Sequence, residues 1–322
     1  MAARLSPLIR AAVIGVGYLG RFHAQKYASL PDCRLVGIAD PSDAARSAVA
    51  AELKVAAYAD YRDLLGSVDA VSIVTPTPAH FEVAQAFLDA GANVLVEKPM
   101  TVTVAEGQSL IEIARKADRI LQVGHLERFN AAVRAVQPTL GVPRFIESAR
   151  LAPFKHRGTD VDVVLDLMIH DIDLILSIVR APVVAVDAIG SSVFSSEIDI
   201  ANARLRFANG CVANATASRV SLKTERKLRL FQDDAYISVD LQQKILTVIR
   251  KGAAVGADGM PQVVIDENTY EQGDALKEEI QAFLEAVATR RPPPVTGEDG
   301  LLALRTAVSI AEQVASSRRR FS

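Results

Sequence analysis

Short apolar runs alternate with amphipathic segments over the first 125 residues of the chain. The apolar runs predict strands at 10–15, 34–39, 70–74, 93–96 and 120–123. The segments between them predict helices at 19–29, 42–53, 60–65, 79–90 and 103–117. The strands contain few polar residues, as expected for strands that are buried on both faces. This alternation predicts a doubly wound parallel sheet, and such sheets bind ligands at the carboxyl ends of their strands.

Beyond residue 125 the pattern changes to strands in succession. A strand near 143–153 and a helix at 161–179 come first, and helices near 273–290 and 298–317 close the chain. Between them, strands are predicted near 184–194, 200–208, 211–221, 226–232, 235–240 and 244–250. Asn209–Gly210 predicts a hairpin, and the glycine-rich segment 251–261 predicts a flexible loop. This half is therefore expected to be an α/β domain on an open, mainly antiparallel sheet.

A Gly-x-Gly-x-x-Gly turn directly follows the first predicted strand. Gly15 permits the tight turn, Gly17 lets the backbone approach a pyrophosphate, and Gly20 lets the helix pack closely on the strand. Tyr18 and Leu19 occupy the variable positions, where backbone amides at the start of a helix can meet phosphate charge. The turn therefore predicts a Rossmann dinucleotide site.

An acidic residue follows the second strand, twenty residues beyond the last glycine. The carboxylate of Asp40 can accept hydrogen bonds from a ribose diol and would repel a 2′-phosphate. We therefore expect NAD as the cofactor. Arg46 lies nearby in the sequence, which leaves some use of NADP open.

The composition is that of an ordinary globular protein. Half of the 322 residues are hydrophobic, 23% are charged, and the formal net charge is −2, so no general attraction to nucleic acid is expected. No signal peptide or long apolar span is evident, and we expect a cytoplasmic protein that does not enter a membrane. The two cysteines and five histidines show no metal-ligand spacing, so no metal site is predicted.

Two strand ends in the first domain carry polar residues. Thr75, Pro76, Thr77 and His80 form a loop and helix start that could hold the cofactor; the alternative is a plain strand-to-helix turn. Glu97 and Lys98 follow a central strand and are also candidates for binding the cofactor. A lysine there can bond a substrate hydroxyl and stabilise a developing alkoxide, or it can simply pair with Glu97.

The apolar helix at 161–179 contains polar residues on one face. Asp166, His170 and Asp173 are spaced at i, i+4 and i+7. A carboxylate one turn from a histidine can orient the imidazole and raise its basicity, so His170 or Lys98 could accept a hydroxyl proton. The alternative is a structural Asp–His hydrogen bond inside the core.

Two further segments could contact a substrate. Gly124–Asn130 leaves the last strand of the parallel sheet, and its candidates are His125, Glu127 and Arg128. A second, basic segment precedes the His170 helix and could hold a diphosphate; its candidates are Lys155, His156, Arg157 and Thr159. Both segments could equally be solvated charged loops.

The glycine turn, Thr-Pro-Thr loop, Glu-Lys-Pro and Asp166-x-x-x-His170 occur in one order over essentially the whole chain. Together they resemble the glucose-fructose oxidoreductase / inositol dehydrogenase / MocA family. The resemblance implies a Rossmann domain at 1–125, a substrate-binding and oligomerisation domain at 126–297, and a helix at 298–322 that packs back on the first domain. It implies Lys98, Asp166 and His170 as the catalytic set, a cis bond before Pro99, and assembly as a homodimer or homotetramer.

The segment from Arg157 to Asp173 carries a narrower resemblance. Many family members have glycines just before the catalytic helix, whereas this chain has Asp162–Val163. The segment is similar to the branch that oxidises the 3-hydroxyl of UDP-N-acetylglucosamine, which implies an aminotransferase as pathway partner and a lipid A precursor as end product. A free sugar or inositol-type polyol as substrate, and a non-catalytic NAD(P)-binding regulatory protein, remain alternatives.

Overall fold

A parallel six-stranded sheet forms the first part of the computed structural model, which describes residues 8–155, 161–255, 260–270 and 273–321. Its strands are β1 (Ile9–Ile14), β2 (Cys33–Ala39), β3 (Ala57–Tyr58), β4 (Ala70–Ile73), β5 (Asn93–Glu97) and β6 (Leu121–Gly124). The helices between them are α1 (Tyr18–Ser29), α2 (Asp43–Leu53), α3 (His80–Asp89) and α4 (Val104–Ala117). The strand order β3-β2-β1-β4-β5-β6 reverses direction at β1, which is the predicted doubly wound topology.

A second, eight-stranded sheet follows, in the order β14-β13-β12-β11-β7-β10-β9-β8. Its strands are β7 (Phe145–Leu151), β8 (Val183–Ser191), β9 (Ile200–Phe207), β10 (Val212–Ser218), β11 (Glu225–Phe231), β12 (Ala235–Asp240), β13 (Ile245–Val255) and β14 (Pro261–Thr269). Every neighbouring pair is antiparallel except β7 and β10. The predicted α/β fold class with a mainly antiparallel second sheet is thus confirmed.

Four helices accompany this sheet in the sequence. α5 (Ala131–Val136) precedes β7, α6 (Ile169–Val179) lies between β7 and β8, and α7 (Ala275–Thr289) and α8 (Gly297–Phe321) end the chain. The core beside the sheet includes the apolar face of α6, with Ile172 and Ile175 fully buried. Inward side chains of the strands are mainly alanine, valine, leucine and isoleucine, because alternate residues of each strand face this core.

The prediction of a loop over 251–261 is wrong at both ends of that range, where the structure has strands. Lys251–Val255 continues β13, and Pro261 begins β14, so the two strands form a long hairpin. The small residues between them suggested a loop, but β-branched Val263, Val264 and Ile265 favour a strand that pairs with β13. The short helix α5 and the two-residue strand β3 were also not predicted, because neither is long enough to show a periodicity.

Two compact units divide the chain. The first combines Met1–His125 with Leu276–Leu301, and the second combines Leu126–Ala275 with Leu302–Ser322. This division differs from the expected bounds 126–297 and 298–322, since α7 belongs to the first unit and most of α8 to the second. The first turn of α8 lies in the first unit, where Gly300 contacts Val123, whereas Ala307 is part of the core of the second unit.

Among the described residues, no helix combines the length and the apolar character needed to cross a bilayer.

Candidate active site

The glycine turn of the first unit has the geometry that the sequence predicts. Gly15 has a φ of +82°, and a Cβ there would lie 2.7 Å from the carbonyl oxygen of Val74. A Cβ on Gly20 would lie 1.8 Å from the carbonyl oxygen of Gly15, so only glycine fits where helix and turn meet. No described atom lies within 4 Å of a Cβ built on Gly17. Gly15 and Gly20 therefore close the turn, and Gly17 leaves its outer surface open to a ligand.

The first helix begins at this open surface. Gly17 is the N-cap of α1, and it has no side chain that could bond the first amides of the helix. Those amides and the positive end of the helix are therefore available to a phosphate. Tyr18 and Leu19, in the first turn, are 69% and 37% exposed. This arrangement fits the pyrophosphate of a dinucleotide.

The carboxylate at the end of β2 is fixed by backbone amides. Val16 N donates to Asp40 Oδ2 and Ser42 N donates to Asp40 Oδ1, each at 2.8 Å. Arg46 does not pair with this carboxylate: its guanidinium contacts Asp43 Oδ1 at 2.6 Å and the carbonyl of Pro41 at 3.0 Å. Arg46 Nη1 also donates to the backbone carbonyl of Asp40 at 3.3 Å, but no guanidinium of the described residues pairs with the Asp40 carboxylate, which fits a ribose diol better than a 2′-phosphate.

The loop after β4 holds a buried histidine. Thr75 and Thr77 are half-buried, Pro76 is exposed, and His80 is 1% exposed at the start of α3. Nδ1 of His80 lies 2.9 Å from the carbonyl oxygen of Pro99, and Nε2 lies 2.8 Å from that of Thr75. Burial lowers the pKa of this imidazole, although the two carbonyls act in the opposite direction.

Lys98 follows directly after β5 and is half-buried. Its backbone amide donates to Glu97 Oε2 at 3.3 Å, and the Lys98–Pro99 peptide bond is cis, as the resemblance implies. Burial opposes the charge of Glu97, but a hydrogen bond with His23 and the charges of His23 and Lys98 outweigh it. The pKa of the Glu97 carboxyl therefore lies below its ordinary value.

Glu97 belongs to a cluster of acidic and basic side chains with His23 and Glu279. His23 on α1 and Glu279 on α7 are fully buried, and Nε2 of His23 lies 3.2 Å from Glu97 Oε1. One ligand atom from each of the three residues lies within 4.8 Å of the others, an arrangement that could hold a metal ion. The side-chain amide of Gln122 donates to the carbonyl of Glu279 at 3.2 Å. Sequence reasoning missed this cluster, because its members come from segments up to 256 positions apart.

In the second unit, the helix that carries Asp166 and His170 starts with a π-helical turn. This turn spans Val164–Met168 and leads into α6, and both candidate residues are half-buried. Oδ1 of Asp162 accepts hydrogen bonds from Val164 N at 2.8 Å and Leu165 N at 2.9 Å, which caps the helix. Single π-helical turns within helices are frequent at functional sites.

Two bidentate ion pairs fix the elements around this helix. Arg128 Nε and Nη2 donate to Asp173 at 2.8 and 2.6 Å. Arg150 on β7 bonds Asp171 at 2.8 Å and Glu127 at 3.0 Å. Burial opposes the charge of Arg150, but the two carboxylates outweigh it and raise its pKa. Glu127, Arg128 and Asp173 therefore have partners within the unit, and substrate contact by the first two stays a prediction.

The remaining candidates are placed differently. His125, just after β6, is 1% exposed, whereas Lys155 is exposed at the end of the segment that follows β7. His156, Arg157 and Thr159 lie outside the described residues. The basic segment before α6 therefore stays a prediction, for which Lys155 is the one described member.

Comparison with known proteins identifies the family of the chain. Residues 9–125 match the GFO/IDH/MocA family model described as an oxidoreductase family with an NAD-binding Rossmann fold, and residues 128–238 match its C-terminal domain. UDP-N-acetylglucosamine 3-dehydrogenase of Acidithiobacillus ferrooxidans is 41% identical, over 97% of this chain and 99% of the relative. Its solved structure has a TM-score of 0.91 at 40% identity and covers the same shares of both chains.

A more distant relative acts on a different substrate. Myo-inositol 2-dehydrogenase of Thermotoga maritima is 28% identical, over 92% of this chain and 93% of the relative. The matched models cover residues 9–125 and 128–238, and the glycine turn, Asp40 and the Lys98 loop stay the predicted cofactor site. The chain is an NAD-binding oxidoreductase of the GFO/IDH/MocA family.

Proposed function

We propose that this protein is an NAD-dependent dehydrogenase that oxidises the 3-hydroxyl of UDP-N-acetylglucosamine to a ketone. The observation that carries the substrate assignment is the 41% identity with a UDP-N-acetylglucosamine 3-dehydrogenase over nearly the full length of both chains. The uncompensated carboxylate of Asp40 supports NAD over NADP.

Alcohol oxidation needs one acceptor for a hydride and another for a proton. Bound NAD supplies the hydride acceptor. We assign the proton to His170 as general base, with Asp166, four residues before it, orienting the ring and supporting the positive charge that the ring gains. The Lys98 ammonium donates a hydrogen bond to the hydroxyl oxygen and stabilises the negative charge that develops there. Gly17 and the first amides of α1 hold the cofactor diphosphate.

We further propose that the protein works as a homodimer or homotetramer. Strand β14 is exposed along its whole length, with Val263 and Ile265 64% and 61% exposed, and Val184 and Ile189 on the opposite edge strand β8 are similarly exposed. Exposed edge strands with apolar side chains are usually covered by another chain.

The pathway assignment follows from the chemistry of the product. A 3-keto sugar nucleotide is a substrate for an aminotransferase, which would install an amine on the way to a lipid A precursor. We propose that both steps take place in the cytoplasm.

The test is the formation of reduced nicotinamide from NAD with UDP-N-acetylglucosamine, free N-acetylglucosamine, glucose and myo-inositol in parallel. A ketone trap or a coupled aminotransferase keeps the oxidation from stopping at equilibrium. We expect turnover with the UDP-sugar alone, and loss of the charge in Lys155→Ala or Arg157→Ala should raise its KM. Turnover with inositol instead would contradict the substrate assignment and leave the catalytic residues in place; the inositol dehydrogenase among the relatives makes this the second candidate function.

A further inference from the structure

One buried side chain connects the two loops of the first unit that bear on cofactor and chemistry. His80 is 1% exposed, and its two ring nitrogens lie within hydrogen-bond distance of two backbone carbonyls from different loops. The loop after β4 contributes the carbonyl of Thr75, 2.8 Å from Nε2, and the loop after β5 contributes that of Pro99, 2.9 Å from Nδ1. The ring therefore bridges segments that are 24 residues apart in the sequence.

Each of the two carbonyls belongs to a functional segment. Thr75 opens the loop expected to hold the cofactor, and Pro99 follows the candidate catalytic Lys98 in the chain. One carbonyl belongs to Thr75 itself and the other to the residue directly after Lys98, so a shift of either carbonyl moves the backbone of its loop. The imidazole lies between both carbonyls and can therefore restrict both loops.

The same contacts argue against direct cofactor binding by the ring. Both nitrogens of His80 face protein carbonyls, and a buried ring offers a ligand neither nitrogen. A neutral imidazole donates to one carbonyl at a time, and an imidazolium donates to both. The imidazolium thus donates to both loops, whereas the neutral ring donates to one carbonyl and places its other nitrogen against the second carbonyl without a hydrogen.

We propose that His80 is a positioning residue that acts through two separable contacts: Nε2 with Thr75 sets the affinity for the cofactor, and Nδ1 with Pro99 sets the position of Lys98. The role of His80 in turnover rests on the proposed dehydrogenase activity. The two contacts themselves are properties of the first unit and can be tested without measuring that activity.

Two substitutions separate the contacts. Asparagine places its amide nitrogen near the position of Nδ1, so His80→Asn keeps a donor for Pro99 and loses the one for Thr75. Glutamine places its amide nitrogen near Nε2, so His80→Gln keeps the donor for Thr75 and loses the one for Pro99. Each variant is the control for the other, because both replace a buried ring by a neutral amide.

Three measurements on each full-length variant read the two contacts. Calorimetric titration gives the Kd for NAD, acetic anhydride labelling followed by mass spectrometry gives the reactivity of Lys98 relative to exposed Lys116, and turnover at saturating NAD gives kcat. We expect His80→Asn to raise the Kd about five- to tenfold with Lys98 reactivity and kcat near wild type. We expect His80→Gln to change Lys98 reactivity and lower kcat about tenfold or more, with the Kd near wild type.

The proposal would be overturned if both variants lost NAD affinity and Lys98 reactivity in the same proportion. That result is expected if His80 only stabilises the fold. Unchanged values in both variants would overturn it as well. If the wild-type protein turns over none of the sugars, the proposed function fails, and the affinity and labelling measurements still decide the role of His80.

Discussion

The two units of this protein present their candidate residues by different physical means. In the first unit the predicted cofactor site is formed mainly by backbone groups: glycines without a Cβ, helix amides and carbonyls. In the second unit the helix of Asp166 and His170 is held by buried Arg–carboxylate pairs. Backbone sites leave a local sequence pattern, whereas ion pairs join residues that are distant in sequence. This difference decides which parts of each site can be predicted.

The largest expected effect comes from the proposed proton-handling residues, one in each unit. Lys98→Met and His170→Asn should each lower kcat by about two to four orders of magnitude, because each removes a group that acts in the transition state. The Kd for NAD, measured by calorimetry, should stay within about threefold of wild type. Full turnover in either variant would remove that residue from the catalytic set.

Arg150 tests whether ion pairs hold the second unit together. Arg150→Met leaves the buried carboxylates of Asp171 and Glu127 without their guanidinium, and should lower the free energy of unfolding by about 3–5 kcal/mol. Arg144→Met is the matched control, since its pair with Asp233 is 67% and 74% exposed and solvent screens it, so its loss should change the stability little. Chemical denaturation of both variants compares them, and equal losses would refute the distinction.

Two glycines of the same motif should separate fold from function in the first unit. Gly20→Ala forces a Cβ against the carbonyl of Gly15 and should cost about 2–4 kcal/mol of stability. Gly17→Ala meets no described atom within 4 Å, so its melting temperature should match wild type while its affinity for NAD falls. A stable Gly20→Ala would contradict the packing role of Gly20, and a Gly17→Ala with unchanged affinity would contradict the role of Gly17 in binding NAD.

Substitution of Asp199 should have a smaller effect on the free energy of unfolding than that of Arg150 or Gly20, and that effect should depend on pH. Its carboxylate accepts hydrogen bonds from the amides of Val193, Phe194 and Ser195 at 2.7–2.9 Å. Burial opposes the charge, but these bonds and the Ser195 hydroxyl outweigh it and hold the pKa of Asp199 well below its ordinary value. A depressed pKa in the folded state contributes stability above the unfolded-state value, near pH 4, and loses that contribution as the pH falls.

Asp199→Asn should therefore lower the free energy of unfolding by about 1.5–3 kcal/mol at neutral pH. Denaturation of wild type and variant between neutral pH and about pH 2 should show this difference shrinking below about pH 4. A difference that is constant over this range would mean that the charge of Asp199 does not stabilise the loop.

The contrast between the units also explains what the sequence could predict. Gly15, Gly17 and Gly20 indicate the turn in the sequence because their spacing is a fixed local pattern, and Gly15 and Gly20 leave no room for a Cβ. The pairing of Arg150 with Asp171, or of His23 and Glu97 with Glu279, depends on tertiary packing that no local pattern records. The π-helical turn at Val164–Met168 is likewise invisible to an i, i+4 analysis, which treats the helix as regular.

A substrate deuterated at C3 tests most directly whether a hydride leaves C3 of UDP-N-acetylglucosamine. Mass spectrometry of the reduced nicotinamide after incubation with NAD and the ketone trap shows where the label goes. We expect the deuterium to appear in the reduced nicotinamide. Reduced nicotinamide without deuterium would place the oxidation at another carbon, and no reduced nicotinamide at all would contradict the assignment of this sugar nucleotide as the substrate.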